Sequence, residues 1–349
     1  MGPMPTLAST ERRGEETEPS NRSATLMAGV ELGGTKCVCI LASGSNDIHD
    51  QVRIPTGRPD ETLDAIQTVL TGWAESVGFA ALGVGSFGPL DLSPTSPTYG
   101  TVVNTPKPGW NGADLLIRLR AFDVPIGFDT DVNGAAVAEG RWGAGRGLES
   151  YAYVTVGTGI GVGSVVRGLT ARGLGHTEAG HLRIPRMAGR TWPGVCPFHG
   201  DCVEGLACGP AIRAQSGVAA EDLPLTDPVW EEAIQALAAL FHNLVLTTAP
   251  QRILLGGGVG GRHSELLPRI RAAMLESLGG YAVAPSIAEE IDAFLVAPHL
   301  GDLAGPLGAI ALAQDAFEIS QAAGGELSLV PFRRDPVFSR AALSREAGL

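Results

Sequence analysis

Apolar and polar positions change rhythm clearly near the start of the chain. "MAGVEL" and "KCVCILA" are apolar runs of strand length on either side of Gly33-Gly34-Thr35, a pattern that predicts a β-hairpin. "ETLDAIQTVLTGWAESVG" places Leu63, Ile66, Leu70 and Trp73 at helical spacing and ends on glycine. "AALGVGSFGPLDL" reads as a buried strand running into a Gly/Pro loop, with loop chemistry to about residue 112. A helix is then expected over 113–121, a short strand at "PIGFDTD" and a helix with a small-residue face at "NGAAVAEGRWG". "SYAYVTVGTGIGVGSVVRG" repeats the first hairpin's plan, which suggests a weak internal repeat. "DPVWEEAIQALAALFHNLVLTTAP" predicts a long amphipathic helix. "QRILLGGGVGG" predicts a buried strand ending in glycines and followed by a helix, and "GDLAGPLGAIALAQDAF" a glycine-interrupted helix near the end. Strands alternating with helices indicate an α/β architecture. Two glycine-tipped hairpins suggest two similar lobes closing on one nucleotide.

Composition narrows the chemistry. The net charge is −12 and no basic stretch stands out, which disfavours nucleic-acid binding while leaving room for a phosphate held by backbone N–H groups. There is no apolar run of membrane length and no signal-peptide pattern, and the five cysteines are few, so a reducing, cytoplasmic setting is expected. The 44% hydrophobic content is enough for a large core, so 349 residues can make two domains sharing a cleft. Residues 1–25 and those beyond about 322 read as tails. Only Lys36 and Lys107 break the use of arginine as the basic residue, and each falls in a segment of interest.

Three glycine clusters are candidate phosphate or nucleotide contacts. Gly33, Gly34, Thr35 and Lys36 form the first hairpin tip, and Gly157, Thr158 and Gly159 the second. Gly256, Gly257 and Gly258 follow a buried strand, a common nucleotide position. So many glycines in "TVGTGIGVG" weaken a strand, and close approach of a ligand would explain them. None of the three fits the P-loop pattern. Asp131, after a short strand and at the mouth of a helix, is placed to accept a proton from a substrate hydroxyl. It could equally be a helix cap, as could Asp129 or Asn133. Finally, His181, Cys196, His199 and Cys202 are spaced H-x14-C-x2-H-x2-C, the donor arithmetic of a structural zinc site, with a Cys196–Cys202 disulfide as the rival. Cys208 reads as packing and His176 as structural.

These segments together resemble the ROK family of sugar kinases, within the sugar kinase/hexokinase/actin fold, over about residues 28–316. "ELGGTK" and "TVGTGIGVG" look like its two phosphate motifs, "ILLGGGVG" like its adenosine-side motif, and "EAGHLRIP" with "GVCPFHGDCVEGLACGPAI" like its signature. The histidine between the cysteines, and Glu31 where Asp is more usual, resemble the bacterial fructokinase branch. The resemblance implies a two-lobed actin-like fold: one lobe over 26–136 completed by a helix at about 303–318, and a second over 137–302. It implies ATP and Mg²⁺, a structural Zn²⁺, a sugar substrate, a homodimer and Asp131 as the general base. It also implies sugar contacts at Asn104, Glu178, His181 and Glu204, with Glu31, Thr35 and Lys36 near the phosphates and the metal. Thr130 departs from the family's asparagine, which leaves no expected sugar contact at that position. The family also contains sugar-responsive repressors, but the short polar stretch before the first motif leaves little room for a helix-turn-helix. A non-catalytic sugar binder is the remaining alternative, disfavoured by Asp131 and the two glycine hairpins. The expected reaction is phosphorylation of fructose, with mannose next and glucose or an amino sugar as the other choices.

Overall fold

A computed structural model describes residues 25–261 and 263–324, so the expected tails lie almost wholly outside it. β1 (Met27–Leu32), β2 (Lys36–Gly44) and β3 (Asp47–Pro55) form an antiparallel meander. α1 (Pro59–Ser76) begins with proline and has Asp60 and Glu61 in its first turn, both favourable at a helix N-terminus. It buries Leu63, Ile66, Leu70 and Trp73 against the sheet. β4 (Leu82–Ser86) and β5 (Ile126–Thr130) then add parallel strands beyond β1, giving the order β3-β2-β1-β4-β5. α2 (Asp131–Trp142) starts directly where β5 ends.

The second sheet repeats that plan. β6 (Tyr151–Val156), β7 (Ile160–Val166) and β8 (Leu169–Thr170) form a meander. After α3 (Val203–Ala207), α4 (Gly209–Ser216) and the long α5 (Val229–Thr248), β9 (Ile253–Gly256) pairs parallel with β6. α6 (Gly257–Gly260), α7 (Leu267–Leu278), α8 (Ala284–Glu289) and α9 (Ile291–Phe294) precede β10 (Leu295–Val296), and the sheet order is β10-β9-β6-β7-β8. In each sheet the first hairpin strand pairs antiparallel on one side and parallel on the other, which is the structural form of the repeat.

α10 (Ala304–Ala322) returns to the first sheet. It lies so close that a Cβ on Gly83 would fall 1.8 Å from the Ala309 carbonyl oxygen, and one on Gly127 2.2 Å from that of Leu312. α10 also crosses α2 backbone to backbone, with a Cβ on Gly308 only 2.4 Å from the Gly134 carbonyl carbon. α2 runs through the expected lobe division at 136/137, packing on α10 and also on β7.

Two glycines of β7 have a cause other than a ligand. A Cβ on Gly161 would meet Val132 Cγ1 at 2.5 Å, and one on Gly163 would meet the Val132 carbonyl oxygen at 2.2 Å. Both therefore seat α2 on the second sheet, so the ligand-approach explanation does not extend to these two. Gly163→Ala is expected to cost about 1–3 kcal/mol, since the obstacle is backbone. Urea unfolding measures this, with ATP affinity of the folded fraction unchanged.

The helix expected over 113–121 is a correction. Thr101 bridges to Asp114, and Leu115 N–H donates to the Gly100 carbonyl at 3.0 Å, so the segment pairs laterally instead of coiling. A single 3₁₀ turn, Leu119–Phe122, is what remains. Among the described residues, no helix is long and apolar enough to cross a membrane.

Candidate active site

The two hairpin tips face each other: Thr35 Oγ1 lies 3.4 Å from Thr158 Oγ1. The first tip is closed by Gly33 N–H donating to the Lys36 carbonyl at 3.0 Å, and the second by Gly157 N–H donating to the Gly159 carbonyl at 2.9 Å. Lys36 opens β2, and Gly34, Thr35 and Lys36 are all exposed, leaving their donors available. The Lys107 ammonium reaches this tip from another loop, bonding to the Gly34 carbonyl and lying 5.7 Å from the Phe87 ring centre. Gly256, Gly257 and Gly258 come to the second tip. Gly256 pairs with Thr155, and Gly257 sits at positive φ so close to Val156 that a Cβ would lie 2.5 Å from its backbone.

Asp131 is the first residue of α2, and the cap is Thr130, whose Oγ1 accepts from Asn133 N–H at 3.2 Å. The cap expected of Asp129, Asp131 or Asn133 is thus supplied by their neighbour. Asp129 is fully buried, accepting from Thr130 N–H at 2.7 Å and Asn133 Nδ2 at 2.8 Å and pairing with Arg172. Asp131 is left facing the site. One of its oxygens accepts Val132 N–H at 2.8 Å, and burial pushes its carboxyl up to about 6. Glu31, at the end of β1, is pushed up to about 7 by burial and then by the charge of Asp131. The first turn of α10 presses on it, since a Cβ on Gly305 would fall 2.0 Å from Glu31 Oε1.

Glu178 completes the acidic group, with burial and the charges of Glu204 and Asp131 raising it to about 7. Its side chain is 42% exposed, so solvent tempers that rise. Glu204 Oε2 accepts Ile160 N–H at 2.9 Å beside the second hairpin tip, and its Oε1 lies 3.8 Å from His181 Nε2. Asn104 has φ of 49°, a left-handed conformation that asparagine tolerates, and its N–H donates to Asn111 Oδ1 at 2.7 Å. It sits just past the Leu90–Val102 bridge.

The four expected metal ligands converge. Cys196 Sγ is 3.5 Å from His181 Nδ1 and 3.6 Å from His199 Nδ1, and Cys202 Sγ is 3.6 Å from His181 Nδ1. A tetrahedral zinc with ordinary Zn–S and Zn–N lengths has S···N edges of about 3.6 Å, so the donor set fits that ion. All four donor atoms lie within 4.8 Å of one another. Both cysteines are free thiols, which excludes the rival disulfide in this structure. Cys196 and Gly200 exchange two backbone hydrogen bonds that fold the loop tightly, and Cys202 caps α3 by accepting Gly205 N–H at 3.4 Å.

Local sequence pattern points to no site role for Lys107 or Arg172 and to no partner for His176, while Asp129, a candidate helix cap, instead pairs with Arg172. Each has a partner 41 to 86 positions away, which local pattern does not reveal. Lys107 alone carried a signal, as one of two lysines.

Two glycine-tipped hairpins, each backed by its own sheet and facing the other, define the two-lobed α/β fold of actin-like kinases. A model of the ROK family matches residues 27–316, and the chain belongs to that family. It is 37% identical over 294 residues to the fructokinase of Pediococcus pentosaceus, covering 84% of this chain and 99% of that one. It is 39% identical over 293 residues to the fructokinase of Zymomonas mobilis subsp. mobilis, covering 81% and 95%. Its fold is similar to that of a ROK family glucokinase from Streptomyces griseus solved in complex with glucose and AMPPNP. The TM-score is 0.66 and the identity 26%, over 83% of this chain and 99% of the other.

Proposed function

We propose that the protein is an ATP-dependent hexose kinase that phosphorylates the primary hydroxyl of D-fructose first and of mannose second. It is a sugar phosphotransferase, in keeping with its kinase relatives. The observation that carries the reading is Asp131: a carboxylate free of capping duty, held by one backbone N–H, beside two opposed glycine hairpins. Asp131 takes the proton of the sugar's primary hydroxyl as that oxygen bonds to the γ-phosphorus of ATP. The bond from phosphorus to the β–γ bridging oxygen breaks and ADP leaves. Such a loose transition state needs positioning and charge neutralisation more than covalent help. Thr35 and Thr158, with the glycine N–H groups, bind the phosphates, and Gly256, Gly257 and Gly258 border the adenosine side. Glu31 with Asp131 offers the carboxylates beside which Mg²⁺ would lie, and that ion would neutralise the β- and γ-phosphate charge. Asn104, Glu178, His181 and Glu204 hold the sugar. His181, Cys196, His199 and Cys202 would hold a structural zinc, and four protein donors would leave it no place for a reactive water, so its part would be to brace the sugar wall. From the family resemblance we infer a homodimer in the cytoplasm, which sedimentation and fractionation test.

Fructose rests on the C-x2-H-x2-C loop and on the fructokinases among the relatives. Phosphorus NMR of the product tests the reaction: a hexose 6-phosphate is expected, and ADP release without sugar phosphate would refute it. The base must be ionised, and its raised value means it protonates as pH falls through about 6. kcat/KM, which reports the free enzyme, is expected to fall with an apparent pKa near 6 to 7 as the neighbouring glutamates couple to it. A rate held flat to pH 5 would contradict this.

A further inference from the structure

His176 lies between two segments that the proposed function assigns to sugar binding. It follows β8, beside the Arg172–His176 bridge, and its side chain is 6% exposed. Its Nε2 accepts the backbone N–H of Leu90 at 2.9 Å. Leu90 belongs to the first lobe, in the loop after β4, and bridges to Val102, while Val103 N–H donates to the Pro89 carbonyl at 2.8 Å. Asn104 follows directly. On the other side of the ring, Nδ1 is 3.4 Å from Glu178 Oε1 and 3.4 Å from the Thr177 carbonyl oxygen.

These partners choose the tautomer. A backbone N–H can only donate, so Nε2 is bare and the neutral ring carries its proton on Nδ1, directed at the Thr177 carbonyl with Glu178 Oε1 alongside at 3.4 Å. Burial holds the imidazole below its ordinary value, which keeps it neutral at neutral pH. Room for the ring comes from Gly88: a Cβ there would lie 3.2 Å from His176 Cε1 and 3.4 Å from Glu178 Oε1. The Leu90 N–H would be an unmet donor without Nε2, and Glu178 faces the like charges of Glu204 and Asp131, so a donor beside it is favourable.

We propose that His176 is a positioning residue for sugar binding, a strut whose two ring nitrogens fix the Glu178 segment of one lobe against the Asn104 segment of the other. The idea rests on the sugar-kinase reading above. His176→Phe removes both nitrogens and is expected to raise the sugar KM roughly tenfold or more, the scale of one buried donor left unmet. The ATP KM should stay within about twofold of the wild-type value, because the nucleotide contacts lie elsewhere. His176→Gln places its amide oxygen near Nε2 and should recover most of the loss. A sugar KM unchanged in His176→Phe, an equal loss for ATP and sugar, or a His176→Gln no better than His176→Phe would overturn the proposal. If His176→Phe does not fold, the tautomer decides: a two-bond ¹⁵N–¹H spectrum, assigned by difference with His176→Gln, should show Nδ1–H, and an Nε2–H signal overturns it. The sugar used is the one that the wild type phosphorylates best. A wild type that phosphorylates no hexose would sink the kinase reading, whereas the tautomer would still be read independently.

Discussion

Asp131→Asn is expected to lower kcat by roughly 10³-fold, within the usual range for a general base. The substitution is a fair test because little else changes. The asparagine oxygen can accept Val132 N–H as the aspartate does, and the helix cap belongs to Thr130. Loss of a charge at the start of α2 costs about 0.3–1 kcal/mol, and relief of the repulsion with Glu31 offsets part of it. Tm should therefore move little. Calorimetric sugar affinity should stay within a few-fold, since the hydroxyl can still bond to the amide. A variant with near-normal turnover would remove Asp131 from the chemistry.

The second large effect concerns the metal loop. Purified protein is expected to hold one zinc per chain by mass spectrometry. Stripping it with a strong chelator should lower Tm by roughly 5–10 °C, because binding energy of a structural metal is folding energy. The consequence should also reach the site. Cys202 caps α3, Glu204 lies in the first turn of α3, and its carboxylate holds Ile160 N–H beside the second hairpin tip. Cys202→Ala should thus raise the sugar KM roughly tenfold, in the range seen when supports of a metal site are removed. Metal-free protein with unchanged Tm would reduce the loop to a cluster of side chains, and the case for fructose would lose its most specific residues. The kinase reading would still stand on Asp131 and the hairpins.

What could be read from the chain was what is local. Both hairpins, the helix over Val229–Thr248 and the C-terminal helix follow from apolar period and glycine punctuation. The candidate metal donors were legible because three of them fall within seven residues and fold back on one tight turn. β3 was missed because it is a sheet-edge strand, "DIHDQVRIP", whose exposed residues carry no apolar run. The failed helix at 113–121 shows local propensity overridden by pairing with the strand-like segment at 100–102. Gly161 and Gly163 were misassigned because a glycine required by a helix looks, in sequence, the same as one required by a ligand. The contacts that join the lobes, Thr35 with Thr158 and His176 with Leu90, link residues 123 and 86 positions apart and are set by tertiary structure alone.

The central claim is best tested by measuring kcat/KM with ATP and Mg²⁺ across fructose, mannose, glucose, glucosamine and N-acetylated amino sugars in a coupled ADP assay. Fructose is expected to give the highest value, with mannose next. Glucose highest and fructose inert would contradict the fructose assignment, and no hexose-dependent ADP release from any of them would contradict the kinase itself.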